Sequence, residues 1–289
     1  MPVYAPVFVP AALAGFCFLI SWRAWRRRTL ARDGHWGGAA AVALGYFAGH
    51  VLLASWPPIP PSKAVDWLAY LALAGGAAGL TQRYWGKRWY AAWPLMLLLG
   101  CLFAAVLLRS YIQHTWGRLE GILWISGLGV ATAVLWNTLE RLASKRTGAS
   151  LPLSLWLICA ASSMAFVFSG SGLLGQLAGA LAAVFGAAVV LAWWAPGLSL
   201  ASGTFAAFVP VYAGLLIQAY FYSELPFLSA VLLYLAPFAL CIGERRSIYY
   251  MRPWKAALKR LLIVGAPLAI AVGIAWYLIA RTAGGEYYY

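Results

Sequence analysis

Charged side chains are scarce in this sequence, and acidic ones are the scarcest of all. Only 10% of the 289 residues are Asp, Glu, Lys or Arg, and just 7 of these are acidic. Hydrophobic residues make up 64% of the chain, which is more apolar surface than a water-soluble domain of this length can bury. The balance excludes a soluble globular protein and indicates a chain whose apolar surface is covered by a lipid bilayer.

The motifs typical of soluble enzymes and metal proteins are also missing. The sequence has no P-loop, no GxGxxG after a strand, no HExxH, no nucleophile elbow and no cluster of His or Cys ligands. Four cysteines, Cys17, Cys101, Cys159 and Cys241, each lie alone in an apolar run, which predicts no disulfide framework or zinc site. We therefore expect no cofactor, no metal site and no catalytic residue of a known soluble type. Whether the protein is an enzyme stays open, and a non-enzyme is favoured.

Long apolar runs dominate what is present. A helix needs about twenty apolar residues to cross roughly 30 Å of hydrocarbon, and ten such runs are bounded by charge, proline or glycine. They are too long and too uniformly apolar for barrel strands. The predicted fold class is all-α, a polytopic transmembrane helix bundle that forms one integral membrane domain over residues 1–289. The predicted spans are Val3–Trp22, Gly37–Trp56, Ala64–Leu80, Ala91–Leu108, Gly121–Leu139, Leu153–Ser169, Leu173–Trp194, Gly203–Tyr222, Leu225–Ile242 and Leu261–Ala280.

Two details of this threading have alternatives. Only Gly170-Ser171-Gly172 separates the sixth and seventh spans, so a tight turn and a re-entrant break are both possible, and we favour the turn. The first apolar run precedes its basic cluster, the reverse of the order in a cleavable secretory signal. We therefore expect the first helix to be retained.

Basic residues predict the orientation of the bundle. With ten spans and the N-terminus outside, 17 of the 21 Lys and Arg residues fall in inner loops. The outer side holds only Lys63, Arg109, Arg118 and Arg281. This asymmetry follows the positive-inside rule, and it places both termini outside. The expected partners are the lipid bilayer, anionic lipid at the inner face, where Glu244–Arg260 is predicted to lie along the membrane, and other membrane subunits, but no nucleic acid.

Polar residues outside the basic loops gather near the predicted outer ends of the helices. An ionisable residue within a membrane span is costly enough to suggest a function. The predicted helix centres contain no Asp, Glu, Lys or Arg, so the candidates lie toward the helix ends. We therefore predict an outward-facing polar site. Its candidate residues are His50, Asp66, His114, Glu120, Gln218 and Glu224.

Each candidate also has a purely structural interpretation. Asp66 and Glu120 lie where the first turn of a helix favours an anion. His50 could hydrogen-bond to a neighbouring helix, and Arg109 and Arg118 could reach outer headgroups.

Three prolines fall within predicted spans near the C-terminus. Pro210, Pro237 and Pro267 each remove one backbone hydrogen bond and tend to kink a helix. A kink can provide a hinge or expose carbonyls to a substrate, although kinks are also common in membrane helices without a transport role.

One short stretch resembles a known pattern. The segment Gly45–His50, then Trp56–Pro61 and Asp66–Leu68, resembles a pattern in uncharacterised polytopic membrane proteins of planctomycete-type bacteria. The resemblance covers about twenty residues and implies a bacterial inner membrane. It transfers no activity and no functional residue.

Three functions fit these observations. The favoured one is a permease-type carrier of a small solute. The alternatives are a non-catalytic membrane subunit or assembly scaffold, and a membrane enzyme on a lipid-linked or periplasmic substrate with His50 and Asp66 as an acid/base pair.

Overall fold

The architecture is entirely helical over the residues that the computed structural model describes, which are 4–22, 36–85, 89–144, 148–194, 199–200, 203–242 and 253–285. These residues form eleven helices and no strand. The helices are α1 (Ala5–Trp22), α2 (Gly37–Ala54), α3 (Ala64–Trp85), α4 (Trp89–Leu107), α5 (Arg109–His114), α6 (Arg118–Ser144), α7 (Ser150–Phe168), α8 (Gly172–Trp194), α9 (Thr204–Tyr222), α10 (Phe227–Ile242) and α11 (Pro253–Gly285).

Ten of these helices are apolar, and each matches one predicted span. Seven are long and apolar enough to cross a membrane, and three shorter apolar stretches lie in α1, α4 and α10. Only α5 has no counterpart among the predicted spans. The prediction of a polytopic helix bundle is confirmed, and the chain is a multi-pass membrane protein. The orientation of the bundle in the membrane stays a prediction.

The observed helix ends differ most from the predicted ones where the sequence is polar. α6 extends beyond the predicted Gly121–Leu139 at both ends, because its polar terminal residues continue the helix outside the apolar window. α11 begins at Pro253 rather than Leu261. Residues 253–260 are therefore the start of the last long helix, whereas the sequence predicted that all of Glu244–Arg260 lies along the membrane surface. Residues 244–252 lie outside the described residues, as do most of the basic residues in the predicted inner loops.

α7 and α8 form a tight antiparallel hairpin. Gly170, at φ +88°, occupies the turn between them, and the amide of Ser171 donates to the carbonyl of Phe166 at 3.1 Å. Gly175 on α8 faces Ser163 and Val167 on α7, so the two helices run past each other from the turn onward. The predicted tight turn is confirmed over the re-entrant alternative.

α9 is the centre of the bundle. Every residue from Thr204 to Ala219 is buried, and α9 packs against α2, α3, α4, α6, α8 and α10. A helix that is apolar around its whole circumference is expected to be enclosed by other helices or by lipid. Here its neighbours are other helices, so α9 positions the surrounding elements.

Small residues let α3 approach α9 closely. A Cβ added at Gly75 would lie 2.3 Å from the carbonyl oxygen of Ala206, and one at Gly79 would lie 2.4 Å from that of Gly203. Pro210 has no N–H to donate to the Ala206 carbonyl one turn earlier. The carbonyl that Gly75 approaches therefore lacks its usual donor within α9. Such close contacts drive helix association in a bilayer, because lipid tails are as apolar as the helix surfaces and no hydrophobic force brings the helices together.

Replacing Gly75 with Ala should weaken this contact. The new methyl group would overlap backbone atoms of α9, and overpacking of this kind costs about 1–3 kcal/mol. Gly127→Ala is the matched control, because Gly127 lies in the interior of α6 with nothing within 4 Å of its added Cβ. Thermal unfolding in detergent should show a lower Tm for Gly75→Ala and an unchanged or higher Tm for Gly127→Ala. Equal Tm values would contradict the close approach.

Candidate functional site

The predicted polar residues meet at one end of the bundle. The side-chain amide of Gln218, near the end of α9, donates to the carbonyl of Ala64 at the start of α3 over 2.7 Å. Tyr222 donates to the carbonyl of Leu107 at the end of α4 over 3.1 Å. The start of α3 and the ends of α4 and α9 therefore lie together, as alternating spans require. We call this region the polar end.

Asp66 stabilises the start of α3. Its Oδ2 accepts hydrogen bonds from the backbone amide of Lys63 at 3.0 Å and from the hydroxyl of Ser62 at 3.3 Å. A carboxylate in the first turn that reaches back to the preceding amide is half of a capping box. Asp66 thus stabilises the first turn of α3, as its structural interpretation predicts. Its side chain is also buried, at 7% exposure. Burial is unusual for a carboxylate whose only role is a surface cap.

His50 is completely buried beside Asp66. Its side chain has 0% exposure, and neither ring nitrogen has a hydrogen-bond partner among the described residues. The Asp66 carboxylate interacts with the ring electrostatically, but no hydrogen bond joins them. The Tyr46 ring lies one turn away on α2 at 6.3 Å between centroids, and its hydroxyl is also without a partner. The hydrogen-bonded acid/base pair required by the enzyme hypothesis is not formed in this conformation.

A polar cleft opens next to this buried group. It has an empty volume of about 610 Å³ and lies between the start of α3, the end of α4, α5 and the end of α9. Three basic side chains, Lys63, Arg109 and His114, line it, and no Asp or Glu lines it among the described residues. Further hydrogen-bonding groups are supplied by Ser62, Ser110, Gln113 and Tyr222, and the rest of the lining is Pro61, Ala64, Trp67, Val106 and Leu107. An arrangement of cations and neutral donors is suited to an anionic group.

The structure divides the six predicted site residues into three sets. His50, Asp66 and Gln218 are buried at the polar end, and His114 lines the cleft. Glu120, in the first turn of α6, and Glu224, at φ +51° between α9 and α10, are both exposed and outside the cleft lining. Of the six residues, His114 is the one that lines the cleft, so an outward-facing site formed by all six stays a prediction.

The sequence did not point to the basic half of the cleft. Lys63 and Arg109 were counted only as outer charges, and α5, which carries Arg109 and Gln113, is too short to give a clear pattern. One signal was available: of the four predicted outer basic residues, Lys63 directly precedes the third span and Arg109 directly follows the fourth.

Aromatic rings pack beside the cleft. Tyr111 on α5 contacts the rings of Trp116, Phe221 and Tyr222 at centroid distances of 5.2–5.3 Å, and its hydroxyl donates to the carbonyl of Phe221. These contacts hold α5 against the end of α9. They fix the position of Arg109 and His114 relative to α3.

An apolar groove lies on the other side of this aromatic cluster. It has an empty volume of about 700 Å³ between α6, α9 and α10. Two of its hydroxyl groups are already used, because Thr132 donates to the carbonyl of Leu128 at 2.7 Å and Tyr234 to that of Ala131 at 2.9 Å. The groove therefore offers mainly apolar contacts, and it differs in chemistry from the cleft.

The three predicted hinge prolines lie inside continuous helices. Pro210 and Pro237 are buried in α9 and α10, and Pro267 is half-buried in α11. None of them ends its helix. A hinge role for these residues stays a prediction.

Gln218 should be important for the geometry of the polar end. Leu in its place would keep the volume but leave the Ala64 carbonyl without its donor, at a cost of about 1–3 kcal/mol. Gln176→Leu on α8 is the control, since Gln176 is exposed. Urea unfolding in detergent should show a lower midpoint only for Gln218→Leu. A midpoint equal to that of the control would show that the hydrogen bond does not position α3.

The described residues contain no group of three His, Cys, Asp or Glu side chains that could hold a metal ion. Comparison with known proteins finds no matching family model, no similar curated protein and no solved structure that matches.

Proposed function

We propose that this protein is a permease-type carrier and that the cleft at the polar end is its uptake site for a small anionic solute. The observation that carries the proposal is the lining of the cleft, with three basic and no acidic side chains among the described residues. In the predicted orientation the cleft opens at the outer face. There, a concentration of positive charge attracts anions and raises their local concentration.

Hydrogen bonds link the lining of the cleft to buried polar groups of the bundle. Ser62 and Lys63 line it, and both donate to Asp66, which interacts with the buried His50. Ala64 also lines the cleft, and its carbonyl is bound by the buried Gln218. Polar groups thus continue from the cleft into the region between α2, α3 and α9, as a carrier requires.

The proposed location is a bacterial inner membrane, with both termini outside and most basic residues on the cytosolic side. It is supported by the placement of 17 of the 21 Lys and Arg residues in predicted inner loops. The same residues make anionic lipid at the inner face the proposed lipid partner.

Uptake into vesicles tests the carrier function. Purified protein in phosphatidylcholine vesicles should be offered radiolabelled phosphate, sulfate, and small mono- and dicarboxylates, with glycerol and choline as neutral and cationic controls. The expected result is saturable uptake of at least one class of anion and of neither control. Absence of saturable uptake for every anion would overturn the proposal. Adding phosphatidylglycerol to the vesicles separates a free solute from a lipid headgroup, because occupation by headgroups would suppress uptake.

A second candidate function is a non-catalytic membrane subunit. It is favoured by the apolar groove, which has room for part of a helix from another protein and exposes Phe227 at 65%. A subunit should show no uptake, and it should copurify in mild detergent with a partner whose binding is lost when the groove is filled by Ala230→Phe.

A further inference from the structure

We propose that His50 is a proton-binding site inside the bundle and that Asp66 is the counterion of its protonated form. A neutral imidazole has one N–H donor and one acceptor nitrogen. In His50 both are buried and unpartnered among the described residues. Buried polar atoms without partners are rare enough to require an explanation. One such explanation is a functional group that changes its hydrogen bonding.

Helix packing places Asp66 within about one helical turn of the depth of His50. α2 and α3 are antiparallel, with Gly76 against Ala43 and Gly79 against Ala39. Following the same pairing for two further turns brings His50 opposite Leu68 and Ala69, within one turn of Asp66 on α3. The electrostatic interaction between the two side chains agrees with this position.

Among the described residues, Asp66 is the one acidic side chain on the helices that pack against α2. α2 packs against α1, α3, α8 and α9, and α1, α8 and α9 contain no Asp, Glu, Lys, Arg or His. α3 carries one further charged residue, Arg83, which is 17 positions from Asp66 and so about 25 Å along the helix. The remaining titratable side chains on these five helices are neutral thiol or phenol groups: Cys17, Tyr46, Tyr70, Tyr84, Tyr212, Tyr220 and Tyr222.

The cleft lies next to this pair, on the side of Asp66. Ser62 and Lys63 form its edge and donate to Oδ2 of Asp66, which leaves Oδ1 for another donor. A hydronium ion gives up one proton: its O–H bond breaks, an N–H bond forms at the unprotonated ring nitrogen of His50, and a water molecule is left. Both ring nitrogens then donate, and one of them can donate to Oδ1 of Asp66. Protonation therefore gives the buried His50 ring a counterion and a hydrogen-bond partner at one of its two nitrogens.

This inference goes beyond the carrier function and does not depend on it, because proton binding is measured on the protein alone. If the protein is a carrier, the same site would couple anion uptake to protons. A failure of uptake would leave the proton site standing, and the reverse also holds.

Nitrogen NMR of histidine tests the proposal directly. The chain has 3 histidines, so His35→Gln with His114→Gln leaves His50 as the one ¹⁵N-histidine signal source in labelled protein. As pH is lowered, the two nitrogen signals should move from the separated positions of a neutral ring to the nearly equal positions of an imidazolium, and the change should reverse.

Asp66→Asn then tests the counterion. Asn keeps an oxygen that can accept from the Lys63 amide, so the cap on α3 is retained. The pH of half-protonation should fall by about one unit or more, a tenfold loss of proton affinity. Glu224→Gln, at an exposed position of the same end, should leave it unchanged. A ring that stays neutral while the protein remains folded would overturn the proposal, as would equal shifts in the two acid variants.

Discussion

Replacing Lys63 and Arg109 together with Gln should reduce anion uptake by about a hundredfold or more. A hydrogen bond to a charged group contributes about 1.5–3 kcal/mol, which corresponds to roughly ten- to hundredfold in affinity for each residue. Both side chains are exposed and line the cleft, so their removal leaves no buried group unpaired. The measurement is the initial rate of uptake into vesicles over a range of solute concentrations.

Arg281→Gln is the matched control for this double variant. Arg281 is another basic residue on the predicted outer side, and it is exposed near the end of α11, outside the cleft lining. Its removal changes the net charge of the outer surface but no contact in the cleft. Because exposed charges also attract anions over a distance, uptake should be compared at low and high salt. Equal uptake by the control and the double variant would exclude the cleft as the uptake site.

The largest effect on stability should follow replacement of Tyr212. This side chain is buried at the centre of α9 and stacks on Phe208 at 5.3 Å between ring centroids. Its hydroxyl donates to the carbonyl of Leu233 on α10 at 2.9 Å and lies 3.3 Å from the hydroxyl of Ser162 on α7. One residue therefore links three helices.

Two substitutions separate the ring from the hydroxyl. Tyr212→Phe should cost about 1–2 kcal/mol, because it removes the donor to the Leu233 carbonyl and keeps the packing. Tyr212→Ala should cost about 3–5 kcal/mol through the cavity it leaves. Tyr277→Ala is the control, since Tyr277 is 59% exposed. The free energy of unfolding in mixed micelles would measure all three. A loss for Tyr212→Ala no larger than for the control would show that α9 is not the packing centre.

The helices could be predicted because lipid imposes a simple requirement. A span of about twenty apolar residues has to satisfy its backbone internally, so each apolar run corresponds to one helix, as Leu153–Ser169 corresponds to α7 (Ser150–Phe168). Helix ends were less accurate, since polar residues such as those from Pro253 to Arg260 can continue a helix beyond the apolar window.

The site could be predicted only in part, because its residues come from separate helices. The polarity of His50 and Asp66 within apolar surroundings marked them in the sequence. Their burial depends on the close packing of α2, α3 and α9, which no pattern in one segment specifies. Glu120 is also an acidic residue in the first turn of its helix, but it is exposed. The difference arises from neighbours that are distant in sequence: Gln218 binds the first turn of α3.

Cysteine labelling in intact cells tests the threading of the chain on which the position of the cleft depends. With Cys17, Cys101, Cys159 and Cys241 replaced by Ser, single cysteines would be introduced at three exposed positions near helix ends: Ser62, Glu224 and Ser144. A membrane-impermeant maleimide should label Ser62→Cys and Glu224→Cys in intact cells, and Ser144→Cys only after permeabilisation. Labelling of Ser144→Cys in intact cells, with Ser62→Cys protected, would contradict the account.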